Sequence, residues 1–473
     1  MSQPLHKQTR EELKVIAEKA ILVGVHLPGG YVDPTDPFSE LRALTTTAGA
    51  VIVGELLQRR RKPRGRTYLG KGKVDELCNL IKLTGATLVI FDNDLSPAQI
   101  RNLEKETCCK IIDRSELILD IFANRAATSE AKLQVEIAQL EYTYPRLRAM
   151  WDHLGQIVGG APVGIGTRGP GEQQLEIDRR IVKRRLALLK RELEEIQGRK
   201  SREVGQRNLD HFTVGLVGYT NAGKSTLFNR LSEGGGAYAH DKLFATLSTR
   251  VEKWKLGRGN EALLSDTVGF IRNLPHHLVA SFRSTLEETI YANMLIIVVD
   301  VADHNARMQL ETVQQTLDEI GATAQPRIIA LNKVDALRKP DEELAAWREM
   351  LPEETTVIIS AKTGEGTDRL ADIALDRMLG GVREVEVVTP LADARTIDFL
   401  ERRAEVTQRD YRNGDAIFRV LLGRRHIDQL LAQGARMTIN GLPALDAAKR
   451  DWPNDDAPPP VRVPPHIKAQ QNG

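Results

Sequence analysis

The sequence has few cysteines and no long apolar run. Its three cysteines, Cys78, Cys108 and Cys109, lack the spacing of a metal site and suit a reducing compartment. The adjacent pair is interpreted as the start of a strand, with a redox or metal role as the alternative. No apolar run approaches the roughly 20 residues that a membrane-spanning helix needs, and the N-terminal MSQPLHKQTREELK has no apolar signal core. These absences predict a cytoplasmic protein.

The stretch FTVGLVGYTNAGKST, residues 212–226, has the pattern of a phosphate-binding loop. An apolar run predicts a strand, GxxxxGKS follows it, and TLFNRL predicts a helix, which is the context that this motif requires. Gly218 and Gly223 permit backbone angles and a close approach that a side chain would block. The loop amides and the helix N-terminus would then face the phosphates. We expect Lys224 to reach the outer phosphates and Ser225 to bind Mg²⁺.

Further motifs follow in the order that a guanine-nucleotide switch requires, and each ends an apolar run. They are DTVG at 266–269, NKVD at 332–335 and SAK at 360–362. Asp266 is expected to hold Mg²⁺ through water, and the amide of Gly269 to meet the γ-phosphate. The carboxylate of Asp335 can accept hydrogen bonds from the ring N–H and the amino group of guanine, whereas adenine offers neither donor. NKVD alone is also typical of a surface turn, but the ordered set predicts guanine.

The remaining residues of these motifs would complete the pocket. Asn332 and Lys333 are expected to brace the loop and flank the base, and Ala361 to donate its amide to the guanine carbonyl. The predicted GTP-binding residues are Gly218, Tyr219, Thr220, Asn221, Ala222, Gly223, Lys224, Ser225, Thr226, Phe244, Ala245, Thr246, Leu247, Ser248, Asp266, Thr267, Val268, Gly269, Asn332, Lys333, Val334, Asp335, Ser360, Ala361 and Lys362.

The two switch segments raise separate questions. A threonine between the phosphate loop and DTVG must reach Mg²⁺, and the spacing of LFATLSTR does not choose between Thr246 and Thr249. Phe270 follows Gly269, where Ras-like switches carry a glutamine that orients the attacking water. Because phenylalanine cannot hydrogen-bond to water in this way, we expect slow hydrolysis by the protein alone. A partner would accelerate it by ordering the switches or by supplying a group in trans.

Hydrophobic patterning predicts a multidomain α/β protein. The chain has 473 residues, enough for roughly three or four units. Its content of 41% hydrophobic and 27% charged residues is ordinary for a soluble globular protein. Residues 1–125 alternate short apolar runs with helical patterns, which predicts a basic N-terminal domain with a parallel sheet.

The rest of the chain divides into four segments with different sequence patterns. Residues 126–207 have apolar spacings of three and four, which predict an antiparallel helical hairpin. Its glycine-rich tip, residues 155–176, is predicted to be non-helical. Residues 208–382 contain the motifs and predict a P-loop GTPase domain with a mostly parallel sheet. Within it, the apolar run 356–361 predicts a strand, and 276–292 a helix. Residues 383–450 predict a small ferredoxin-like α+β domain, and 451–473 a disordered, proline-rich tail.

Basic residues are concentrated in segments 59–73 and 178–202, although the net charge of the chain is only +2. Either segment alone is compatible with a solvated face, but two in a nucleotide-binding protein favour a polyanion such as RNA. The glycine-rich tip could reach into that partner or be a disordered connector. The RNA-binding candidates are Arg59, Arg60, Arg61, Lys62, Arg64, Arg66, Lys71, Lys73, Arg168, Arg179, Arg180, Lys183, Arg184 and Arg185.

Several stretches together resemble the HflX family of ribosome-associated GTPases. They are YLGKGKVDEL, EIAQLEYTYPRL, GIGTRGPGEQQLEIDRR, GYTNAGKSTLFN, KLFATL and DTVGFIRNLPHHLVASFRSTLEE. The resemblance implies binding to the large ribosomal subunit and its rRNA, with the hairpin tip directed toward the peptidyl-transferase region. It also implies a stress role in rescuing, splitting or recycling ribosomes.

The same resemblance completes the predicted site. It selects Thr246 as the switch Mg²⁺ ligand and makes a hydrophobic residue at position 270 a family feature. The chain departs from the family pattern where FATLSTR replaces FATLDPT, where GPGEQQLE replaces GPGETQLE, and where APV precedes GIGTRG. With Thr246 added, the predicted metal ligands are Ser225, Thr246 and Asp266. The predicted catalytic residues are Lys224, Thr246, Gly269 and Phe270, the last in the position of the usual glutamine.

Two other functions compete with a GTP-hydrolysing ribosome factor. One is a GTP-controlled binding module for a protein or membrane partner, which Phe270 favours and the basic hairpin disfavours. The other is an RNA remodelling factor with an additional ATP site within residues 20–123, although NKVD argues against adenine in the main pocket. We expect a monomeric, cytoplasmic, ribosome-associated protein, and a peripheral position at the membrane stays open.

Overall fold

The structure is a computed structural model in which two compact units can be distinguished. It describes residues 18–28, 33, 35–157, 170–232, 244, 249–257, 259–272, 288–323, 325–352 and 355–452, with the backbone alone for 145–157, 170–179, 201 and 205–210. The first unit comprises Met1–Arg125 and Val135–Lys190, and the second comprises Ala126–Gln134 and Arg191–Gly473. The residues of the predicted hairpin are thus shared between the units.

The first unit is built on a parallel sheet with the strand order β2-β1-β3-β4. Its strands are β1 (Lys19–His26), β2 (Val51–Arg59), β3 (Leu88–Phe91) and β4 (Lys110–Asp113). Its helices are α1 (Ser39–Ala48), α2 (Lys71–Thr84), α3 (Pro97–Thr107) and α4 (Arg114–Arg125). The predicted alternation of strands and helices and the predicted parallel sheet both occur. Apolar runs such as LVIF in β3 form buried strands of this sheet.

Two long helices, α5 (Ser129–Ile157) and α6 (Pro170–Asp210), follow. In the first unit they are joined by ion pairs from Glu136 to Arg185 and from Glu141 to Lys190, at 2.8 and 2.7 Å. The prediction that 155–176 is non-helical is wrong at both ends. Proline suits the first position of a helix, and the EQQLE sequence that follows has high helix propensity. Residues 158–169, with Arg168, lie outside the described residues.

The second unit contains a sheet with the order β10-β9-β8-β5-β7-β6, in which only β6 runs antiparallel. Its strands are β5 (Thr213–Gly218), β6 (Arg250–Gly257), β7 (Asn260–Asp266), β8 (Met294–Asp300), β9 (Arg327–Asn332) and β10 (Thr356–Ile358). Its helices include α7 (Lys224–Leu231), α8 (Ala306–Glu319), α9 (Pro340–Met350) and α10 (Thr367–Leu379). Apolar clusters cover both faces: Val214, Leu216 and Ile296 belong to one, and Val217, Leu295 and Ile297 to the other.

One predicted strand of this sheet is shorter than expected. The apolar run predicted a strand over 356–361, but β10 ends at Ile358. The amide of Ser360 turns away from the sheet to the carbonyl of Glu365, which opens the SAK segment into a loop. Most of the helix predicted over 276–292 lies outside the described residues.

The same unit ends in a second, antiparallel sheet with the order β12-β13-β11-β14-β15. Its elements are β11 (Val382–Pro390), α11 (Ala394–Arg403), β12 (Glu405–Arg412), β13 (Asp415–Gly423), α12 (Arg424–Ala432), β14 (Thr438–Ile439), β15 (Leu442–Pro443) and α13 (Ala444–Asp451). Asn413 and Gly414 both have positive φ, as a two-residue hairpin turn requires. The first four strands have the ferredoxin-like order.

The multidomain α/β fold class predicted from the sequence is confirmed. Among the described helices, none is long and apolar enough to cross a membrane. Residues 453–473, predicted to be a disordered tail, lie outside the described residues.

Candidate nucleotide-binding site

The phosphate loop follows β5 at the carboxyl edge of the parallel sheet, between β5 and α7. Gly218 and Gly223 have φ values of +150° and +95°. A β-carbon at Gly218 would collide with the carbonyl oxygen of Val298, and one at Gly223 with the side-chain amide of Asn332. Only glycine allows the loop to pass this close to the neighbouring strands.

The ammonium group of Lys224 is buried at the base of this loop. It donates hydrogen bonds to the carbonyl oxygens of Gly218 and Tyr219, at 3.2 and 2.8 Å. Burial lowers the pKa of Lys224 to about 8, and the nearby carboxylate of Asp266 offsets part of that effect. The site therefore holds a cation that a phosphate group would stabilise in its charged form.

An oxygen pair lies beside this lysine. The hydroxyl group of Ser225 donates to Oδ2 of Asp266 at 2.8 Å, and Thr267 anchors the DTVG segment by donating to the carbonyl of Leu216 at 2.7 Å. A β-carbon at Gly269 would lie 2.8 Å from the Lys224 ammonium nitrogen. The structure thus brings DTVG against the phosphate loop.

Phe270, which occupies the position of the usual glutamine, is a core residue. Its exposed fraction is 2%, and it belongs to the apolar cluster that contains Val217, Tyr219 and Leu295. Its backbone carbonyl accepts from the Thr220 amide at 2.8 Å, and its amide donates to the Gly218 carbonyl at 3.1 Å. The sequence indicated only what phenylalanine cannot do, whereas the structure shows that its side chain packs in the interior.

Asn332 connects the phosphate loop to the base-binding motifs. Its side-chain amide donates to the carbonyl of Ala222 at 2.8 Å, and its Oδ1 accepts from the Ala361 amide at 2.9 Å. The Ala361 amide, expected to meet the guanine carbonyl, is therefore engaged within the site. The hydroxyl group of Ser360 donates to Oδ1 of Asp335 at 2.6 Å, which links SAK to NKVD.

Two residues that the sequence reasoning missed brace these loops. The carboxylate of Asp300 forms an ion pair of 2.6 Å with Lys333. The guanidinium of Arg230, near the end of α7, donates to the carbonyls of Lys362 and Ala361. Asp300 carried a signal that could have revealed it, because a carboxylate ends the buried run MLIIVVD in a strand next to that of NKVD.

The structure brings together most of the residues that are predicted to contact the nucleotide. Part of the first switch, which spans residues 243–250, lies outside the described residues. Phe244 is described and buried, and Thr249 begins the described chain again before β6. Ala245, Thr246, Leu247 and Ser248 lie outside the described residues. Their predicted roles stay predictions.

The described RNA-binding candidates all belong to the first unit. On α6, Arg185 pairs with Glu136, and only the backbone of Arg179 is described. In the first sheet domain, Arg66 pairs with Glu106 at 3.3 Å. The candidates whose side chains are exposed are Arg59, Arg61, Lys62, Arg64, Arg66, Lys71, Arg180, Lys183, Arg184 and Arg185, whereas Arg60 and Lys73 are partly buried.

Comparison with known proteins identifies the family. Three family models match, described as GTP-binding GTPase N-terminal over 35–123, GTP-binding GTPase Middle Region over 125–207 and 50S ribosome-binding GTPase over 213–333. GTPase HflX of Lacrimispora saccharolytica is 42% identical over 408 residues, which cover 86% of this chain and 94% of that protein. The chain belongs to the HflX family of GTPases. GTPase HflX of Escherichia coli K12 is also 42% identical, over 80% of this chain and 87% of that protein.

The family assignment bears on several predictions. The resemblance to the HflX family and the enzyme class, a GTP hydrolase, are both confirmed.

Among solved structures, a GTP-binding protein from Sulfolobus solfataricus in complex with GDP is 25% identical with a TM-score of 0.39. The similarity covers 76% of this chain and 98% of that one.

Proposed function

We propose that the protein binds GTP with Mg²⁺ in this pocket and couples its binding and hydrolysis to work on the large ribosomal subunit. That work would be the rescue, splitting or recycling of ribosomes under stress. The observation that carries the nucleotide part is the pair of hydrogen bonds from Asn332 to Ala222 and from Ala361 to Asn332. They join the phosphate-binding and base-binding motifs into one pocket.

Selection of guanine would depend on Asp335. Its carboxylate lies beside the SAK loop, where Ser360 holds one oxygen. The ring N–H and amino group of guanine would donate to it, whereas adenine would leave the carboxylate without these donors. Asn332 would orient the loop around the base, and Lys333 would cover one face.

The residues of the site fit a magnesium ion. Mg²⁺ prefers hard oxygen ligands and usually shares them between one or two side chains, phosphates and water. The oxygen pair of Ser225 and Asp266, 2.8 Å apart beside Lys224, is a donor set of that kind. When bound, the ion would neutralise charge on the phosphate oxygens. In this proposal Thr246, which the family resemblance implies, would complete the set.

Hydrolysis would be slow without a partner. The attacking water must be oriented, and the side chain of Phe270 is buried in the core and has no group to do so. Lys224 and the Gly269 amide would stabilise the phosphate charge. A ribosome that orders the switch segments would then raise the rate, so that GTP is consumed mainly on the target.

The ribosomal part rests on family membership and surface charge. The family model that matches 213–333 is described as a 50S ribosome-binding GTPase. Exposed basic side chains follow β2 and line α6, and such clusters supply sequence-independent attraction to the phosphates of RNA. In this proposal they contact ribosomal RNA, and the hairpin tip points toward the peptidyl-transferase region.

Cosedimentation with separated ribosomal subunits tests the proposal. The protein should pellet with the large subunit in a non-hydrolysable GTP analogue and much less in GDP, and large subunits should stimulate GTP hydrolysis. Lys224→Ala should lose the nucleotide dependence. Lys253→Ala, a change at an exposed lysine on β6, is the matched control and should keep it. Equal pelleting with the GTP analogue and with GDP would contradict the proposal that the nucleotide controls binding to the ribosome.

A further inference from the structure

The carboxylate of Asp300 holds the ammonium group of Lys333 at 2.6 Å. We propose that Asp300 is a positioning residue for the guanine base: it sets the affinity for guanine nucleotides through Lys333 without touching the nucleotide. The inference rests on the proposed role of NKVD in binding guanine. It adds a residue that belongs to none of the nucleotide-binding motifs.

The backbone of Asp300 is fixed in the sheet, and one of its carboxylate oxygens is held by a backbone amide. Asp300 is the last residue of β8, directly opposite Asn332 in β9, and the Val301 amide donates to the Asn332 carbonyl at 3.0 Å. Its Oδ1 accepts from the amide of Ala302 at 3.1 Å, which leaves Oδ2 for Lys333. The side chain is 14% exposed. A carboxylate held by the backbone in this way is a rigid anchor.

Lys333 needs such an anchor because a lysine side chain is flexible and does not hold one conformation by itself. A lysine side chain has many rotamers, and ordering one is entropically unfavourable. The residue has a left-handed backbone, with φ of +67°, and its Cε lies 4.0 Å from the position of a β-carbon on Gly223. The stem therefore runs beside the phosphate loop while Asp300 holds its end. The side chain of Lys333 is 31% exposed, so the ion pair is partly shielded from water, unlike the fully exposed pairs that contribute little.

The consequence for function is specific. GTP and GDP share the base, so loss of the anchor should weaken both by the same factor. The chemistry occurs at the phosphates, on which Asp300 does not act, so kcat at saturating GTP should be unchanged. A general loss of folding would instead lower kcat and the amount of active protein.

The first experiment compares nucleotide affinity in full-length variants. Asp300→Asn keeps the shape and an oxygen for the Ala302 amide but removes the charge. We expect Kd for GTP and for GDP to rise about tenfold, with kcat unchanged. Asp318→Asn is the matched control, because Asp318 pairs with Arg327 at 2.9 Å on the exposed side of α8; its Kd should stay at the wild-type value.

The second experiment is a double-mutant cycle with Lys333→Ala. If Asp300 acts through Lys333, Asp300→Asn should cost no further affinity in the Lys333→Ala background. Additive losses, or an unchanged Kd in Asp300→Asn, would overturn the inference. Failure of the proposed function looks different: wild-type protein would then bind ATP as tightly as GTP.

Discussion

The backbone amide of Arg272 donates a hydrogen bond of 2.7 Å to the hydroxyl group of Tyr219. Tyr219 is the second residue of the phosphate loop. Arg272 lies two residues after Phe270 in the second switch, the segment that begins with DTVG at 266–269. The hydrogen bonds of Thr220 and Gly218 with the backbone of Phe270 run beside it. The start of the second switch is therefore attached to the phosphate loop in this structure by both backbone and side-chain contacts.

Replacing Tyr219 by phenylalanine tests that attachment. The ring would keep its place in the apolar cluster, but the Arg272 amide would lose an acceptor, and we expect the free energy of unfolding to fall by about 1 kcal/mol. Urea unfolding of nucleotide-free protein measures it. Tyr411→Phe, at a tyrosine that is 54% exposed, is the matched control, and an equal loss in both variants would contradict the role of this bond.

Restoring a glutamine at position 270 should not restore catalysis. Phe270→Gln places an amide in an apolar cluster and removes buried ring surface, so we expect a loss of about 3 kcal/mol in unfolding free energy. The rate of GTP hydrolysis by the protein alone should not rise. Phe270→Leu, which stays apolar, should cost less. A stable Phe270→Gln variant with faster hydrolysis would show that this side chain can face the nucleotide.

Nucleotide binding should be linked to a proton at Lys224. Its pKa is lowered by burial to about 8, and bound phosphates would raise it, so binding near pH 8 should take up protons and affinity should fall as the pH rises through 8. Calorimetry at pH 8 in two buffers with different heats of ionisation measures the uptake. Lys224→Arg, whose guanidinium stays charged, should lack it; the same uptake in both proteins would assign the proton elsewhere.

His426 should make stability depend on pH. Burial, with Arg403 and Arg425 nearby, lowers its pKa to about 4, below its ordinary value near 6.5. The neutral ring is therefore favoured in the folded state. Its contribution is complete above about pH 6.5 and is lost as the pH falls through 4, by up to about 3 kcal/mol.

The measurement for His426 is the unfolding free energy between pH 7 and pH 4. His426→Gln, which does not titrate, should show a shallower decline than the wild type. His211→Gln changes an exposed histidine and serves as the control. Identical declines for wild type and His426→Gln would mean that other groups govern acid stability. The ring of His426 lies 3.4 Å from the side chain of Asn260, the first residue of β7. Protonation of His426 would therefore destabilise the structure at the start of that strand.

Base preference should follow the group at Asp335. Asp335→Asn replaces an acceptor by a side chain that can also donate. We therefore expect the binding free energy of GTP to weaken by about 2 kcal/mol. Affinity for xanthosine triphosphate, which has an oxygen where guanine has its amino group, should rise. Competition binding with both nucleotides measures this. Asp341→Asn, at the exposed start of α9, should leave the preference for GTP intact.

The sequence by itself was enough for the fold class and the family. Strand–loop–helix patterning, the ordered motifs and the alternation of apolar runs are local properties, and local propensity and tertiary packing agree in these segments. The same reasoning failed for 170–176, where glycine content suggested a loop although proline at the first position and helix-forming residues continue the helix. It also extended β10 too far, since an apolar run does not reveal where the backbone turns.

Only the tertiary structure decided which residues act on which. The burial of Phe270, the two hydrogen bonds of Asn332, the anchor of Lys333 on Asp300 and the contact of Arg230 with the SAK loop all join residues distant in sequence. No periodicity encodes such contacts, because they arise where the carboxyl ends of parallel strands meet. The motifs specified the chemistry of the pocket, and the order of strands in the sheet determined which side chains support it.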